Sequence, residues 1–281
     1  MKIPTLQELL EAGVHFGHKV SRGNPRMRPY IYGARDGVSI IDLTLSEKAL
    51  REALDFARDL GKSGKILLFV GTKKQAQSIV LEMAKKVEAP YLVDRWIGGF
   101  LTNFEEISKN IKRLKELKEQ KEKGQLQKYT KKEQLLLDRK IHELQRIFEG
   151  VLGLTDLPDA IFISDAQKDA GAVREASRMG VKIIAVVDSN SDPTLVDYPI
   201  PGNDDAIKSI KILVGAVAEA YGEGKKMMDD RKLKLDEEDR SLKVKKEKTA
   251  EEVLPEEVIE EVAAAEEEIE KEATKESERK E

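Results

Sequence analysis

Short apolar runs rich in β-branched residues alternate with amphipathic segments between Val38 and Tyr221. Runs that are apolar at almost every position are typical of parallel strands, because helices cover both faces of a parallel sheet. The pattern predicts strands at Val38–Asp42, Ile66–Val70, Ala160–Ser164 and Ile183–Asp188, with weaker candidates at Tyr91–Val93 and around Tyr198–Ile200.

The segments between these strands repeat their apolar residues every three or four positions, which is the spacing of a helix with one buried face. Alternating strands and helices predict an α/β domain with a parallel sheet between two layers of helices. A glycine follows three of the helices and is expected to end each of them. The predicted helices are Ser46–Leu60, Lys74–Val87, Ala170–Met179 and Asp205–Tyr221, and the predicted stops are Gly61, Gly180 and Gly222.

Two narrow apolar stripes replace this alternation between Asn103 and Gly150. Each stripe is about as wide as a coiled-coil seam. Two helices are separated by a break at Gly124–Tyr129, after which a capping box at Thr130 and Glu133 begins the second helix. We expect an antiparallel coiled-coil hairpin that projects from the α/β domain and serves as an arm that binds a partner. Its seam is formed by Ile107, Ile111, Leu114, Leu137, Ile141 and Leu144, and is extended by Phe104, Leu117 and Phe148.

These patterns divide the chain into four segments. Residues 1–37 form a basic N-terminal segment with few long apolar runs, which we expect to lie on a partner rather than to pack inside a core. The α/β domain is discontinuous and comprises residues 38–102 and 151–224, with the hairpin inserted at 103–150. Large apolar residues become rare after this domain, so the charged tail at residues 225–281, acidic from 249, is predicted to be disordered.

The net charge of −4 hides a division between a mildly basic body and an acidic tail. Residues 249–281 carry 4 Lys or Arg and 14 Asp or Glu, a net charge of −10, and the preceding residues carry +6. The body is therefore suited to bind phosphate, which the tail would repel. Because the chain has no Cys, no signal peptide and no apolar run near the ~18 residues of a membrane helix, we expect a soluble cytoplasmic protein.

No motif predicts a catalytic, cofactor or metal site. The glycine fingerprint of dinucleotide enzymes is missing. Gly71–Lys74 lies between a predicted strand and a predicted helix, where backbone N–H groups can hold phosphate, but the ordinary start of a helix explains this sequence equally well. His15 and His18 lack a third metal ligand, which favours hydrogen bonds to backbone or phosphate. We therefore expect no enzyme activity, no metal and no cofactor, and the alternative is a nucleotide-using α/β enzyme.

The segment Lys19–Arg35, with the sequence KVSRGNPRMRPYIYGAR, has the composition of an RNA contact. Cationic residues alternate with Asn24 and with tyrosines, and Pro25 and Pro29 are expected to keep the backbone extended. Cations and stackable rings that are presented outside a core suit the recognition of phosphates and unpaired bases. A solvated surface loop is the alternative interpretation.

Six blocks of sequence closely resemble, in the same order, the family of the bacterial small-subunit ribosomal protein number two. The chain departs from the usual family pattern at Gly23, where Trp is common, and at Phe100, where a small residue or Met is common. The blocks are LLEAGVHFGHK (Leu9–Lys19), NPRMRPYIYGARDGVSIIDL (Asn24–Leu43), FVGTKKQA (Phe69–Ala76), DRWIGGFLTNF (Asp94–Phe104), LPDAIFISD (Leu157–Asp165) and PIPGNDDAIKSI (Pro199–Ile210).

The resemblance implies a flavodoxin-like parallel α/β domain with a protruding hairpin and a structural, non-catalytic role in the small ribosomal subunit and hence in translation. It implies contacts with small-subunit rRNA near the head–body junction, support of late subunit assembly, and neighbouring ribosomal proteins that include the large OB-repeat protein that recruits mRNA. A free coiled-coil adaptor, absent from ribosomes, is a further alternative. The rRNA-binding residues predicted in this way are His15, His18, Lys19, Arg22, Asn24, Arg26, Arg28, Tyr30, Arg35, Lys73, Lys74, Arg95 and Trp96.

Overall fold

The structure is a computed structural model that describes residues 3–251, with side chains described through residue 232. The chain divides into two compact units, Met1–Met228 and Asp229–Glu281. Residues 225–251 were predicted to be disordered but are helical. The remainder of the predicted disordered tail, which holds most of its acidic residues, lies outside the described residues.

A short helix and a small antiparallel sheet begin the first unit. They are α1 (Leu6–Glu11), β1 (Phe16–Lys19), β2 (Ile31–Arg35) and β3 (Val38–Ile41), and the strand order is β1-β3-β2. The prediction that Val38–Asp42 belongs to the parallel sheet is wrong. Asp36 and Gly37 adopt φ values of 52° and 77°, as a two-residue hairpin turn requires, so β3 pairs with the strand before it.

The N-terminal residues also contribute to the core of the first unit. Leu9, Val14 and Met27 are completely buried, which contradicts the expectation that residues 1–37 do not pack inside. The boundary predicted between residues 37 and 38 coincides with the turn between β2 and β3.

Five further strands form a parallel sheet, as the apolar runs predict. They are β4 (Leu67–Val70), β5 (Tyr91–Leu92), β6 (Ala160–Ile163), β7 (Lys182–Val187) and β8 (Tyr198–Pro201), in the order β5-β4-β6-β7-β8. The chain moves outward in one direction from β4 to β5 and in the other from β6 to β8. The carboxyl ends of β4 and β6 therefore flank the topological switch point, which is the usual ligand crevice of such sheets.

Helices cover both faces of this sheet. Alternate residues of β4 enter two separate apolar clusters, with Phe69 in one and Leu68 in the other. Buried side chains of α1, α2, α3 and α7 join the first cluster, whereas those of α4, α5 and α6 join the second. The bounds are α2 (Leu43–Lys62), α3 (Lys74–Lys86), α4 (Phe104–Glu122), α5 (Lys131–Phe148), α6 (Ala170–Met179) and α7 (Ile207–Glu251).

Only one of the three predicted glycine stops ends a helix. Gly180 terminates α6 in the left-handed conformation, with φ 70°. Gly61 and Gly222 instead lie inside α2 and α7. A Cβ atom on Gly61 would lie 2.4 Å from the carbonyl oxygen of Tyr221, so this glycine permits close contact between the two helices.

The segment predicted as a hairpin contains two helices, α4 and α5, that contact each other, and Lys121 Nζ lies 2.8 Å from Asp138 Oδ1 between them. Thr130 begins α5 through the predicted capping box with Glu133. Five of the six predicted seam residues, Ile107, Ile111, Leu114, Ile141 and Leu144, are buried, and Leu137 is half-buried. The coiled-coil geometry of the pair stays a prediction.

Among the residues that the structure describes, none of the helices combines the length and the apolar character that crossing a bilayer requires.

Candidate nucleic-acid interface

The carboxyl edge of the parallel sheet collects most of the predicted site residues. Lys73 and Lys74 follow β4, and Arg95 and Trp96 follow β5. The N-terminal segment lies on the same edge, because the Asn24 backbone N–H donates to the Ser189 carbonyl oxygen at 2.8 Å, after the end of β7. The His18 backbone N–H donates to Ser189 Oγ at 2.7 Å.

A short 3-10 helix, Pro25–Tyr30, orients the central part of this segment. The prediction that Pro25 and Pro29 keep the backbone extended is wrong, since both belong to this helix. Asn24 begins the helix, and its side-chain oxygen accepts a hydrogen bond from the Arg26 backbone N–H at 2.9 Å. Met27 is completely buried, so Arg26 and Arg28 on either side of it are exposed.

Cationic side chains are exposed along the whole segment, at Lys19, Arg22, Arg26, Arg28 and Arg35. Arg26 is paired with Asp192 and donates to Thr194 Oγ1 at 3.0 Å. Within the described part of the chain, Lys19, Arg22 and Arg28 make no ion pair. We define the cationic surface as these three residues together with Arg35, whose pairing with Asp36 is exposed on both sides.

The two tyrosines of the segment differ in exposure. Tyr30 is half-buried and packs against the second apolar cluster, whereas 81% of Tyr32 is exposed. Tyr32 is one of the stackable rings of the predicted RNA-contact segment but not one of the thirteen predicted rRNA-binding residues, yet its ring is the more accessible one for stacking on a base. Successive residues of a strand face opposite sides, so Tyr32, which follows the half-buried Ile31 on β2, faces solvent. This alternation is the sequence signal that identifies Tyr32 as accessible.

Lys73 is held inside a cluster of carboxylates. Its ammonium nitrogen lies 2.7 Å from Asp204 Oδ1, 2.7 Å from Asp205 Oδ1 and 3.1 Å from Asp165 Oδ2. Burial lowers the pKa of Lys73, but its hydrogen bonds to Asp204 and Asp205 outweigh burial and raise the pKa overall. The positive charge of Lys73 is therefore neutralised by carboxylates of the domain itself, whereas Lys74 is exposed.

His18 shares Asp205 with Lys73 and also contacts Asp188: its Nε2 lies 3.3 Å from Asp205 Oδ2, and its Nδ1 lies 3.1 Å from Asp188 Oδ2. The hydrogen bond with Asp188 raises the pKa of His18. His15 is also half-buried, but its ring packs against Phe16 with centroids 4.0 Å apart, and burial lowers the pKa of His15. The two histidines thus have different environments, and neither is exposed like the arginines.

No sequence motif identifies the carboxylates at this edge as a group, although Asp165, Asp188 and Asp204 each follow the end of a parallel strand. Burial, together with the negative charges of Asp165 and Asp188, raises the pKa of Asp204 to about 7. Because these groups and Lys73 fill the crevice at the topological switch point with excess negative charge, a nucleotide phosphate would be repelled there.

Trp96 is fixed to α6 through Glu175. The indole Nε1–H donates to Glu175 Oε1 at 3.0 Å, and the Gly99 backbone N–H donates to the same oxygen at 2.9 Å. Leu101 donates its backbone N–H to Glu175 Oε2 at 3.2 Å. The Trp96 ring lies 5.4 Å from the ring of Phe100, which is fully buried. Arg95, the preceding residue, is exposed.

The fold is thus a doubly wound α/β domain whose crevice at the carboxyl edge is occupied by the domain's own ion pairs. The sequence profile of the family described as Ribosomal protein S2 matches residues 9–224. The chain belongs to that family, which confirms the resemblance.

Relatives of the chain support this assignment over most of their length. A protein of Dictyoglomus thermophilum is 46% identical over 234 residues, covering 83% of this chain and 95% of its own. A protein of Coprothermobacter proteolyticus is 45% identical over 226 residues, covering 80% and 84% of the two chains. Both are called small ribosomal subunit protein uS2. Members of the family are structural ribosomal proteins of the cytoplasm, so the prediction of a protein without enzyme activity is confirmed.

Proposed function

We propose that the chain is a structural constituent of the small ribosomal subunit, where it supports translation by binding small-subunit rRNA near the head–body junction. The observation that carries the proposal is the cationic surface. Lys19, Arg22 and Arg28 are exposed and have no acidic partner within the described residues, so phosphates can approach them without breaking an ion pair.

The remaining predicted rRNA-binding residues divide into two groups in this proposal. Lys74 and Arg95 are exposed and extend the cationic surface along the sheet edge, and Arg26 exchanges its bond to Asp192 for phosphate. The other group holds the surface in shape rather than touching RNA through its charge, and comprises His15, His18, Asn24, Tyr30, Lys73 and Trp96.

We also propose that the hairpin contacts neighbouring ribosomal proteins, and that the chain supports late assembly and docking of the large OB-repeat protein. Because most of the seam is buried between α4 and α5, contacts from the hairpin would use its outer face, where Tyr129, Leu135 and Leu136 are exposed. Replacing Leu135 and Leu136 with Ser should release such a neighbour from purified subunits while rRNA binding is kept.

The rRNA proposal is tested by measuring binding to small-subunit rRNA against salt concentration. Each phosphate contact that is lost should lower the salt slope by about one, so Arg22→Ala with Arg28→Ala should lower it by about two. A matched control is Lys62→Ala with Arg178→Ala, which removes the same charge from exposed helix ends. If the two double variants have the same slope and affinity, the cationic surface does not bind phosphate.

Association with the small subunit itself is tested by sedimenting a cell lysate through sucrose and probing the fractions for this chain. Migration with small subunits is the expected result. Recovery of the chain only as a free protein would contradict the proposed function and would favour the free adaptor.

A further inference from the structure

Three groups at the carboxyl edge of the sheet each aim a metal-ligating atom at the same place. They are His18, Asp188 and Asp204, and the three atoms lie within 4.8 Å of one another. His18 comes from β1, whereas the two aspartates follow the neighbouring strands β7 and β8, so the N-terminal segment and the sheet edge meet here. Both aspartates are only 1% exposed, unlike the solvated acidic groups that are common on protein surfaces.

The charge of the surrounding cluster is unbalanced. Four carboxylates, of Asp165, Asp188, Asp204 and Asp205, lie within contact distance of Lys73 or His18. Even with His18 protonated, the two cations leave an excess of negative charge around the buried carboxylates of Asp188 and Asp204. Buried charges are normally paired or coordinate a metal, which leaves room for a further cation.

One oxygen in the cluster has no partner. Asp204 Oδ2 is buried and makes no hydrogen bond in the described part of the chain, although Oδ1 of the same carboxylate is 2.7 Å from Lys73 Nζ. The two nitrogens of His18 are directed to Asp188 and Asp205, so an imidazolium in this position does not satisfy that oxygen. A buried carboxylate oxygen without a partner is costly, and a bound cation would supply the missing interaction.

We propose that His18, Asp188 and Asp204 bind one divalent cation of the zinc class. Imidazole nitrogen and carboxylate oxygen are both ligands of Zn²⁺, and the imidazole disfavours Mg²⁺ and Ca²⁺, which prefer sites made only of oxygen. Two ligands about 2.1 Å from a tetrahedral zinc lie roughly 3.4 Å apart. His18 Nδ1 and Asp188 Oδ2 are already 3.1 Å apart, so their separation needs only a small adjustment.

The ion would link the N-terminal segment to the parallel sheet. His18 lies one residue before Lys19, the first residue of the cationic surface, and the aspartates belong to the sheet edge. The site goes beyond the proposed rRNA function and does not depend on it, because metal binding can be measured on the isolated protein.

The test is equilibrium dialysis of the full-length, chelator-treated protein against Zn²⁺, with the bound metal measured by mass spectrometry. We expect one saturable Zn²⁺ per chain in the wild type, and affinity weakened about tenfold or more in His18→Gln and in Asp188→Asn. His142→Gln and Asp156→Asn are matched controls, since both residues are exposed and distant in sequence from the cluster. These controls also account for weak binding by the acidic tail, which all variants share.

Two further measurements separate a metal site from a folding defect. Lys73→Met removes a competing positive charge, so it should bind Zn²⁺ several-fold more tightly, a direction that misfolding would not produce. Co²⁺ should give a visible absorption band in the wild type that His18→Gln alters. The proposal is overturned if the wild type and the cluster variants bind Zn²⁺ equally, if Lys73→Met binds it more weakly, or if millimolar Mg²⁺ displaces it.

Discussion

Replacing Glu175 should release the loop that carries Arg95 and Trp96 from α6. The carboxylate accepts three hydrogen bonds, from the Trp96 indole and from the backbone N–H groups of Gly99 and Leu101. Gly99 adopts a positive φ of 85°, so the loop holds a conformation that other residues rarely adopt. Without Glu175, all three donors would need new acceptors.

The cost can be worked from these bonds. A hydrogen bond to a charged group contributes about 1.5–3 kcal/mol when it is well buried. Glu175 is only half-buried, so water can replace part of each bond, and each of the three should contribute about 1 kcal/mol. We expect Glu175→Ala to lower the free energy of unfolding by about 3 kcal/mol. Glu175→Gln should cost roughly half as much, because its oxygen can still serve two donors while its amide N–H₂ opposes the Leu101 N–H.

Urea unfolding followed by tryptophan fluorescence measures this cost directly, since Trp96 is the only Trp in the chain. The midpoint for Glu175→Ala should fall by about 1 M, and the native emission should change because the indole N–H loses its acceptor. Arg174→Ala, an exposed neighbour on α6, is the control and should stay within about 0.5 kcal/mol of the wild type. If Glu175→Ala matches this control in both midpoint and emission, the bonds do not hold the loop.

Three further changes test other parts of the structure. Leu114→Asp places a charge in the buried contact between α4 and α5, at a cost of roughly several kcal/mol, so limited proteolysis within residues 103–150 should become faster. The control Lys115→Asp changes an exposed residue and should have little effect, and equal cleavage rates in the two variants would contradict the packing. Asp42→Ala removes the N-cap of α2 and should cost about 1 kcal/mol at neutral pH. The hydrogen bond from Thr44 lowers the pKa of Asp42, so the stability that Asp42 contributes is present above its pKa in the unfolded chain and is lost as pH falls through its pKa in the folded protein. If Asp42→Ala is destabilised by the same amount at about pH 3 as at neutral pH, the assignment is refuted. Removing residues 229–281 should leave rRNA affinity equal or higher at low salt, because residues 249–281 carry a net charge of −10 that repels phosphate. If the truncated chain binds rRNA more weakly at every salt concentration, the removed residues contribute to binding.

The parallel sheet was predictable because its strands are apolar on both faces, a pattern that few other structures require. β3 has the same apolar character, and only the Asp36-Gly37 turn signal distinguishes it as a hairpin strand. Gly61 illustrates a different limit. Its role depends on the approach of α7, whose residue Tyr221 is far away in sequence, and no local pattern records that contact.

The candidate site was predictable where exposure follows from composition, as for Arg22 and Arg28. It was not predictable where a side chain binds a partner within the domain instead of facing solvent. Lys73 is surrounded by aspartates from the ends of β6 and β8, and Trp96 is bonded to Glu175 on α6. Such partners are brought together by topology, so a cationic or aromatic residue in a loop has the same appearance in sequence whether it faces solvent or the domain.

The hydrogen bond from His18 to Ser189 has a consequence for folding during synthesis. The two residues are 171 positions apart, so the N-terminal segment leaves the translating ribosome long before its attachment point is made. At about 5–20 residues per second, roughly 10–30 s pass before β7 and the following loop exist. Throughout that interval the arginines of the segment are already synthesised but lack this attachment to the edge of the parallel sheet, so the cationic surface reaches its final position only once that sheet is nearly complete.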